Sequence, residues 1–297
     1  MIEPKLKIET AQTNPMSIEK NIPDLILHDG HSIPALGFGT YTLKGQQGVD
    51  TMLRALGHGY RMLDSAFNYE NEGAVGAAVR QSGLLRDEIF ITSKLPGRHH
   101  AYDKAMETIE ESLYRMQFDY LDLYLIHWPN PQQGLYIEAW QALIDAQKKG
   151  YIRSIGVSNF LPKHIETLRR ETGVIPVINQ VELHPYFNQA EQRAYDESQQ
   201  IITMAWSPLG RAKAILDDAV LKQIAQETSR TVVQVVLRWQ VQMGVIPIPK
   251  AASDQNQMAN QAIFDFSLSD DQVQRINALT CAPGRILNQD PAVYEEF

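Results

Sequence analysis

Cys281 is the only cysteine in this chain of 297 residues. One sulfur makes neither an internal disulfide nor a multi-cysteine metal site, and such scarcity fits a reducing cytoplasm. Cys281 is expected to be a small buried hydrophobe rather than a nucleophile. Long apolar runs are also missing. None reaches the roughly 18 residues a spanning helix needs, so no membrane partner is expected. The amino end, MIEPKLKIETAQTNPMSIEK, mixes charges where a signal peptide has an apolar centre. Residues 1–20 read as a flexible leader, with Met16 as an alternative start. Basic residues are outnumbered, 27 against 35 acidic for a net charge of −8, and form no patch, so nucleic acid is not expected as a partner. The chain lacks a GxSxG elbow, an HExxH pair and a P-loop, and His99 and His100 are adjacent rather than at ligand spacing, so no metal site is expected. The run GFGTY (37–41) carries two of the three glycines of a Rossmann turn, and a nucleotide would have to bind by another architecture.

At 44% hydrophobic the chain can bury one large core. In DLILHDGHSIPAL, short apolar runs flank Asp29-Gly30, which suits a hairpin turn. Beyond it, eight short apolar runs recur: ALGFGT, YRMLDSA, EIFITSKL, YLDLYLIHW, IRSIGVSN, VINQVELH, IITMAWSP and GVIPIPK. Stretches with helical spacing separate them, such as DKAMETIEESLYRMQ and LPKHIETLRRETG, most ending near glycine. Eight alternating units predict an α/β fold, a (β/α)8 TIM barrel over residues 21–297 with an N-terminal β-hairpin. Extra helices are expected after strand 7, where DDAVLKQIAQETS and TVVQVVLRWQVQM follow one another. They are expected again after strand 8, where DQNQMANQAI precedes SDDQVQRINALT.

Barrels of this kind build their chemistry at the carboxyl ends of the strands. Asp64 ends the second strand, Lys94 the third, His127 the fourth, Ser158 and Asn159 the fifth, Trp206 and Ser207 the seventh, and Lys250 the eighth. Gln180 lies within the sixth, and Tyr69 follows the second. Singly, such residues are helix caps, core histidines or packing. Together on one rim they suggest a site, because lysine is costly to bury without a partner such as Asp64. An ammonium beside a phenol is expected to lower the Tyr69 pKa toward the range of a general acid, while His127 orients and polarises a carbonyl oxygen.

These residues lie in motifs that resemble the aldo-keto reductases, specifically the bacterial branch of small-carbonyl and diketogluconate reductases. The likeness runs from about Leu25 to Phe297 and includes GFGTY (37–41), LDSAFNYENE (63–72), TSKLP (92–96), YLIHWP (124–129), IGVSNF (155–160), NQVELHP (179–185), WSPLG (206–210) and IPIPK (246–250). The resemblance implies hydride transfer from NADPH or NADH to an aldehyde or ketone. It makes Tyr69 the proton donor, tuned by Lys94 and Asp64, with His127 orienting the carbonyl. It assigns Ser158, Asn159 and Gln180 to the nicotinamide carboxamide, Trp206 to stacking on the ring, and Ser207, Leu209 and Gly210 to the pyrophosphate. Thr40 and Tyr41 of the first motif belong to the same cofactor set, as do Lys250, Asn256 and Asn260 on the adenosine side.

Two positions depart from the family pattern. Trp206 stands where tyrosine is usual, and it keeps a π face. Ala251 and Asn256 replace the serine and arginine that contact the 2′-phosphate, which predicts a blunted preference for NADPH with appreciable NADH use. Phe67, His99, Trp128 and Tyr41 are candidate walls for a small carbonyl substrate, with the tail GRILNQDPAVYEEF folded over the mouth. A monomer is expected. Two rival readings remain: a non-catalytic nicotinamide-binding barrel with a regulatory or structural role, or a Schiff-base lyase or isomerase using Lys94.

Overall fold

The computed structural model describes residues 22–297 apart from 212 and 283; the expected leader over residues 1–20 lies outside them. Strands β1 (Asp24–Ile26) and β2 (Ser32–Pro34) pair antiparallel. Their turn is closed by the Leu27 N–H to the His31 carbonyl at 2.8 Å and the Gly30 N–H to the Leu27 carbonyl at 2.9 Å, so Asp29-Gly30 sits at the bend as expected.

Eight parallel strands follow, hydrogen-bonded in chain order: β3 (Phe38–Gly39), β4 (Met62–Asp64), β5 (Phe90–Leu95), β6 (Leu121–Ile126), β7 (Ile152–Ser158), β8 (Ile178–Glu182), β9 (Ile202–Trp206) and β10 (Ile246–Pro247). The first and last meet where Gly37 and Gly39 donate backbone N–H bonds, each 3.0 Å, to the carbonyls of Pro247 and Pro249. Proline has no N–H to offer but accepts freely, so this seam is made with acceptors on one side only. The sheet thereby closes into the expected barrel.

Helices α1 (Gly45–Gly57), α2 (Glu72–Gln81), α3 (Tyr102–Met116), α4 (Tyr136–Lys148), α5 (Pro162–Thr172) and α6 (Ala190–Ser198) connect successive strands. After β9 a short α7 (Lys213–Asp217) precedes the two expected helices, α8 (Ala219–Thr228) and α9 (Val232–Gln242). After β10 come α10 (Asp254–Gln261) and α11 (Asp270–Asn277). Asp218, Thr231, Ser253 and Ser269 accept backbone N–H bonds from the first turns of α8 to α11, which fixes where each starts.

Strand side chains alternate between the barrel interior and the helical layer. Met62, Phe90, Leu123, Leu125, Ile178, Met204, Ile246 and Ile248 fill the interior, and Leu27 and Ile33 of the hairpin plug its amino end. Leu63, Ile91, Tyr124, Ile126, Ile155 and Val157 face the helices. Counting in twos toward the carboxyl ends carries the inward row to Asp64 on β4, Lys94 on β5, His127 after β6, Ser158 on β7, Gln180 on β8 and Trp206 on β9. The parity that buries the core therefore aims these polar residues at one mouth. No helix among the described residues is long and apolar enough to cross a membrane.

Candidate active site

Lys94 is fully buried. Its Nζ donates to Asp64 Oδ1 at 2.6 Å and to the Ser65 carbonyl at 2.7 Å, and lies 5.1 Å from the centre of the Tyr69 ring. Asp64 Oδ2 accepts from Gln180 Nε2 at 2.8 Å, so both carboxylate oxygens are engaged. Tyr69 ends a 3₁₀ turn, Phe67–Tyr69, that follows β4 directly. Asn71 ties this turn to the barrel, accepting from Ser65 Oγ at 2.7 Å and donating to the carbonyls of Thr40 at 2.8 Å and Leu43 at 3.1 Å.

Burial would lower the Lys94 pKa, but the charges of Asp64 and Tyr69 and hydrogen bonds to both leave it raised, so the amine is held as ammonium. Tyr69 departs from expectation. Desolvation, the largest influence, raises its pKa; the Lys94 charge and hydrogen bond lower it, the Asp64 and Glu296 charges raise it further, and the net direction is upward. The phenol therefore keeps its proton at neutral pH, because burial outweighs the ammonium and Asp64 cancels part of its pull.

The Tyr69 ring packs edge-on against His127 with centroids 6.1 Å apart, and against Tyr41 at 5.0 Å. His127 Nδ1 lies 2.7 Å from Glu296 Oε1 in the C-terminal tail. Glu296 also accepts from Asn68 Nδ2 and from the Gly97 N–H, each at 2.8 Å. Burial would raise this carboxyl, yet His127, the Gly97 N–H and Asn68 override it and hold it at about 2. The tail is latched through its backbone as well: Asn130 Nδ2 donates to the Glu296 carbonyl at 2.8 Å and Asn130 Oδ1 accepts from the Glu296 N–H at 3.0 Å. Gln132 holds Glu295 and Val293, and Tyr294 packs on Trp128 at 4.5 Å. The tail thus covers one side of the mouth as anticipated. Glu296 was not foreseen, since nothing near it in sequence points to a partner 169 positions away.

The residues assigned to a nicotinamide form a connected set beside His127. Trp206 Nε1 donates to Asn159 Oδ1 at 2.8 Å, which orients the indole face, and Asn159 Nδ2 donates to the His127 carbonyl and to Ser158 Oγ, each at 3.0 Å. Ser158 Oγ donates to the Gln180 carbonyl at 2.7 Å. A flat aromatic face next to carboxamide-length polar side chains fits a nicotinamide ring. The loop after β9 fits close approach of a phosphate chain: Ser207 and Gly210 have φ of 47° and 52°, and a Cβ on Gly210 would meet Ile215 at 2.6 Å. Leu209 is partly buried in the same loop.

Other assigned residues are occupied differently. The Thr40 hydroxyl donates to the Asp64 carbonyl at 2.9 Å and is fully buried, so it locks β3 to β4. Lys250 is exposed and reaches Thr42 Oγ1 at 2.8 Å. Asn256 is exposed at the start of α10, whereas Asn260 is buried and hydrogen-bonds Tyr60. Ala251 is buried. Arg54, unforeseen in sequence, donates to the Ala252 carbonyl at 3.2 Å and pairs with Asp254 at 2.8 Å.

Among the candidate walls, Trp128 is buried between Trp206, 6.5 Å away, and Tyr294. Tyr41 is exposed. Phe67 and His99 meet edge to face with centroids 5.4 Å apart and turn toward α3, where Arg115 covers Phe67 and Thr108 bonds His99 Nδ1 at 2.9 Å. Both are thus held against α3 beside the Tyr69 turn. Cys281 is exposed, contrary to expectation, because it follows the exposed end of α11. No cluster of metal-ligating side chains occurs among the described residues.

A parallel barrel with a lysine-tuned tyrosine and a histidine at its mouth defines the class as a barrel oxidoreductase. The model of the aldo/keto reductase family matches residues 35–280, and the chain belongs to that family. It is 48% identical over 277 residues to 2,5-diketo-D-gluconic acid reductase B of Corynebacterium sp., covering 93% of this chain and 99% of the relative. It is 42% identical over 254 residues to glyoxal reductase of Bacillus subtilis, 85% of this chain and 91% of the relative. Among solved structures, a Gox0644 mutant in complex with NADPH superposes with a TM-score of 0.88 at 39% identity, over 92% of this chain and 99% of that one.

Proposed function

We propose that the chain reduces small aldehydes, ketoaldehydes or sugar-derived carbonyls to alcohols with NADPH or NADH, Tyr69 acting as general acid. The observation that carries this reading is the buried Lys94 ammonium, bonded to Asp64 and reaching Tyr69, with His127 on the ring's other side. The named activities of the relatives, on diketogluconate and glyoxal, support a small substrate.

A reduced nicotinamide, when bound, supplies the hydride. The protein's part is proton delivery. The carbonyl oxygen lies between Tyr69 and His127, both of which donate to it, so negative charge that builds on oxygen meets two donors. As Tyr69 gives up its proton, Lys94 stabilises the phenolate left behind, and Asp64 keeps the ammonium in register. Trp206, Ser158, Asn159 and Gln180 would hold the nicotinamide ring toward the carbonyl carbon, with Ser207, Leu209 and Gly210 along the pyrophosphate.

A Schiff-base role for Lys94 is disfavoured because that chemistry needs a neutral amine, and this one is held charged. A purely structural barrel would keep a costly buried ion pair with nothing for it to do. On the adenosine side, Lys250 remains, but Ala251 and Asn256 offer no charge, and the nearby Arg54 is neutralised by Asp254. This supports a blunted preference for NADPH with appreciable use of NADH. Mouth and tail join without interruption into one barrel domain, and the lone cysteine supports a cytoplasmic setting.

The test follows cofactor absorbance with glyoxal, methylglyoxal and diketogluconate. Tyr69→Phe is expected to lower kcat by roughly 10²- to 10⁴-fold, the range for losing a general acid. Turnover as fast as the parent, or no consumption of either cofactor, overturns the reading. An NADPH over NADH ratio of kcat/KM above about 100 would refute the cofactor part alone.

A further inference from the structure

We propose that Asn179 is a positioning residue for the cofactor site: its buried amide grips the backbone of Phe160 and so holds Asn159 in the left-handed turn that faces the nicotinamide. Asn159 belongs to the nicotinamide site proposed above, and the assignment rests on that reading.

Asn159 has a φ of 62°, a left-handed conformation that a residue other than glycine keeps only where its surroundings enforce it. The pairing of β7 with β8 sets Val157 beside Asn179 and Ser158 beside Gln180, so two neighbours on β8 flank the end of β7. Gln180 holds the near side of the turn, its carbonyl accepting the Asn159 N–H at 2.9 Å. Asn179 holds the far side. Its Nδ2 donates to the Phe160 carbonyl at 3.0 Å, and its Oδ1 accepts from the Phe160 N–H at 3.4 Å. With the backbone fixed on both flanks, the Asn159 side chain is delivered to Trp206 and to the His127 carbonyl.

Asp196 keeps the amide this way round. Asn179 alternates outward from Gln180 toward α6, where Asp196 Oδ1 and Oδ2 lie 3.4 and 3.5 Å from its Nδ2. Gln192 Nε2 donates to Oδ1 at 2.8 Å and Thr203 Oγ1 to Oδ2 at 3.0 Å, which fixes the carboxyl in turn. A flipped amide would set Oδ1 against the Asp196 oxygens and the Phe160 carbonyl, and would turn a donor toward the Phe160 N–H. Asn179 and Asp196 are both fully buried. An aliphatic pair would pack α6 on the sheet without that desolvation cost, and what the amide adds is a directed hold on one residue.

The test compares NADPH with 2′-phospho-ADP-ribose, which lacks only the nicotinamide. Both are titrated by calorimetry at pH 8, above the Asp196 pKa that burial pushes up to about 7. In Asn179→Leu the Kd for NADPH is expected to rise about fivefold or more, while that of the truncated ligand stays within about twofold of the parent. Equal weakening of both ligands, the mark of a merely structural residue, overturns the proposal, as does no change in either. In the parent, hydrogen exchange of the Asn159 and Phe160 amides, read by ¹⁵N NMR, is expected to be slow already without cofactor, and protection that appears only with NADPH overturns the proposal. If Asn179→Leu fails to fold, Asn179→Ser drops the same two bonds, and the exchange measurement needs no variant. A parent that neither binds nor consumes NADPH or NADH overturns the proposed function and this assignment together. A parent that turns over cofactor while its variants keep the ratio of the two Kd values overturns this assignment alone.

Discussion

Removing the Lys94 ammonium by Lys94→Met tests the centre of the site with little change in volume. At 2.6 Å and an effective dielectric near 20, its attraction to Asp64 is about 6 kcal/mol before desolvation is counted. Desolvation of two buried ions offsets most of that gain, so the pair adds little to net stability, yet breaking it leaves a charge stranded. Lys94→Met leaves Asp64 with Gln180 Nε2 as its remaining side-chain donor, and about 3–5 kcal/mol of stability is expected to be lost. Asp64→Asn leaves the ammonium with the Ser65 carbonyl and Tyr69, a similar position with a similar cost.

The double variant separates this account from ordinary packing. With both charges gone no ion is stranded, so the double should lose much less than the two single losses added together, a coupling of several kcal/mol. Activity should behave otherwise: Lys94→Met is expected to lower kcat/KM by on the order of 10²- to 10³-fold through loss of the phenolate's counter-charge, and the double should recover none of it. Urea unfolding followed by circular dichroism gives the stabilities of the four proteins, and cofactor absorbance gives the rates. Single losses that add to the double's within about 0.5 kcal/mol would refute the stranded-charge reasoning.

Two further perturbations probe the scaffold. A Cβ on Gly76 of α2 would meet the Met116 carbonyl oxygen of α3 at 2.1 Å, so Gly76→Ala should force the helices apart and cost about 1–3 kcal/mol, read as a lower urea midpoint. Asp196 is buried, and desolvation, its largest influence, pushes its pKa up to about 7 despite hydrogen bonds from Gln192, Thr203 and Asn179. Its folded pKa lies above the unfolded value near ~3.9, so its contribution is fully present below about pH 4 and lost as pH rises through about 7, by up to about 4 kcal/mol. Asp196→Asn cannot titrate and should gain on the parent between pH 5 and pH 8; a gap independent of pH would refute the assignment.

The strand order and the inward row were legible because each strand is an apolar run whose last inward position is polar: Met62 then Asp64, Leu125 then His127, Ile178 then Gln180. The period of two that fills the barrel also labels the mouth. Contacts across the barrel were not legible in that way. Gln180 reads as a cofactor ligand by resemblance, but here it donates to Asp64, 116 positions earlier. Phe67 and His99 have the residue types of a pocket wall, and only the placement of Arg115 and Thr108 on α3 reveals what they pack against. Glu296 was missed for the same reason, since a tail glutamate looks like a solvated charge until Asn130 and Gly97 are seen to seat it.

The sign of the Tyr69 shift changes what the lysine is for. Sequence placed an ammonium near a phenol and led to an acid already strengthened toward neutrality, but desolvation depends on the packing of Tyr41, His127 and Asp64 around the ring, which local sequence does not encode. A donor must hold its proton before the carbonyl is reduced and release it as the alkoxide forms. Burial secures the first condition. In the proposed role Lys94 serves the second, because its pull matters most once the proton has passed to the forming alkoxide and the phenolate is left on Tyr69. Asp64 restrains that pull in the resting state, so the same pair that keeps Lys94 charged also keeps Tyr69 from ionising too soon.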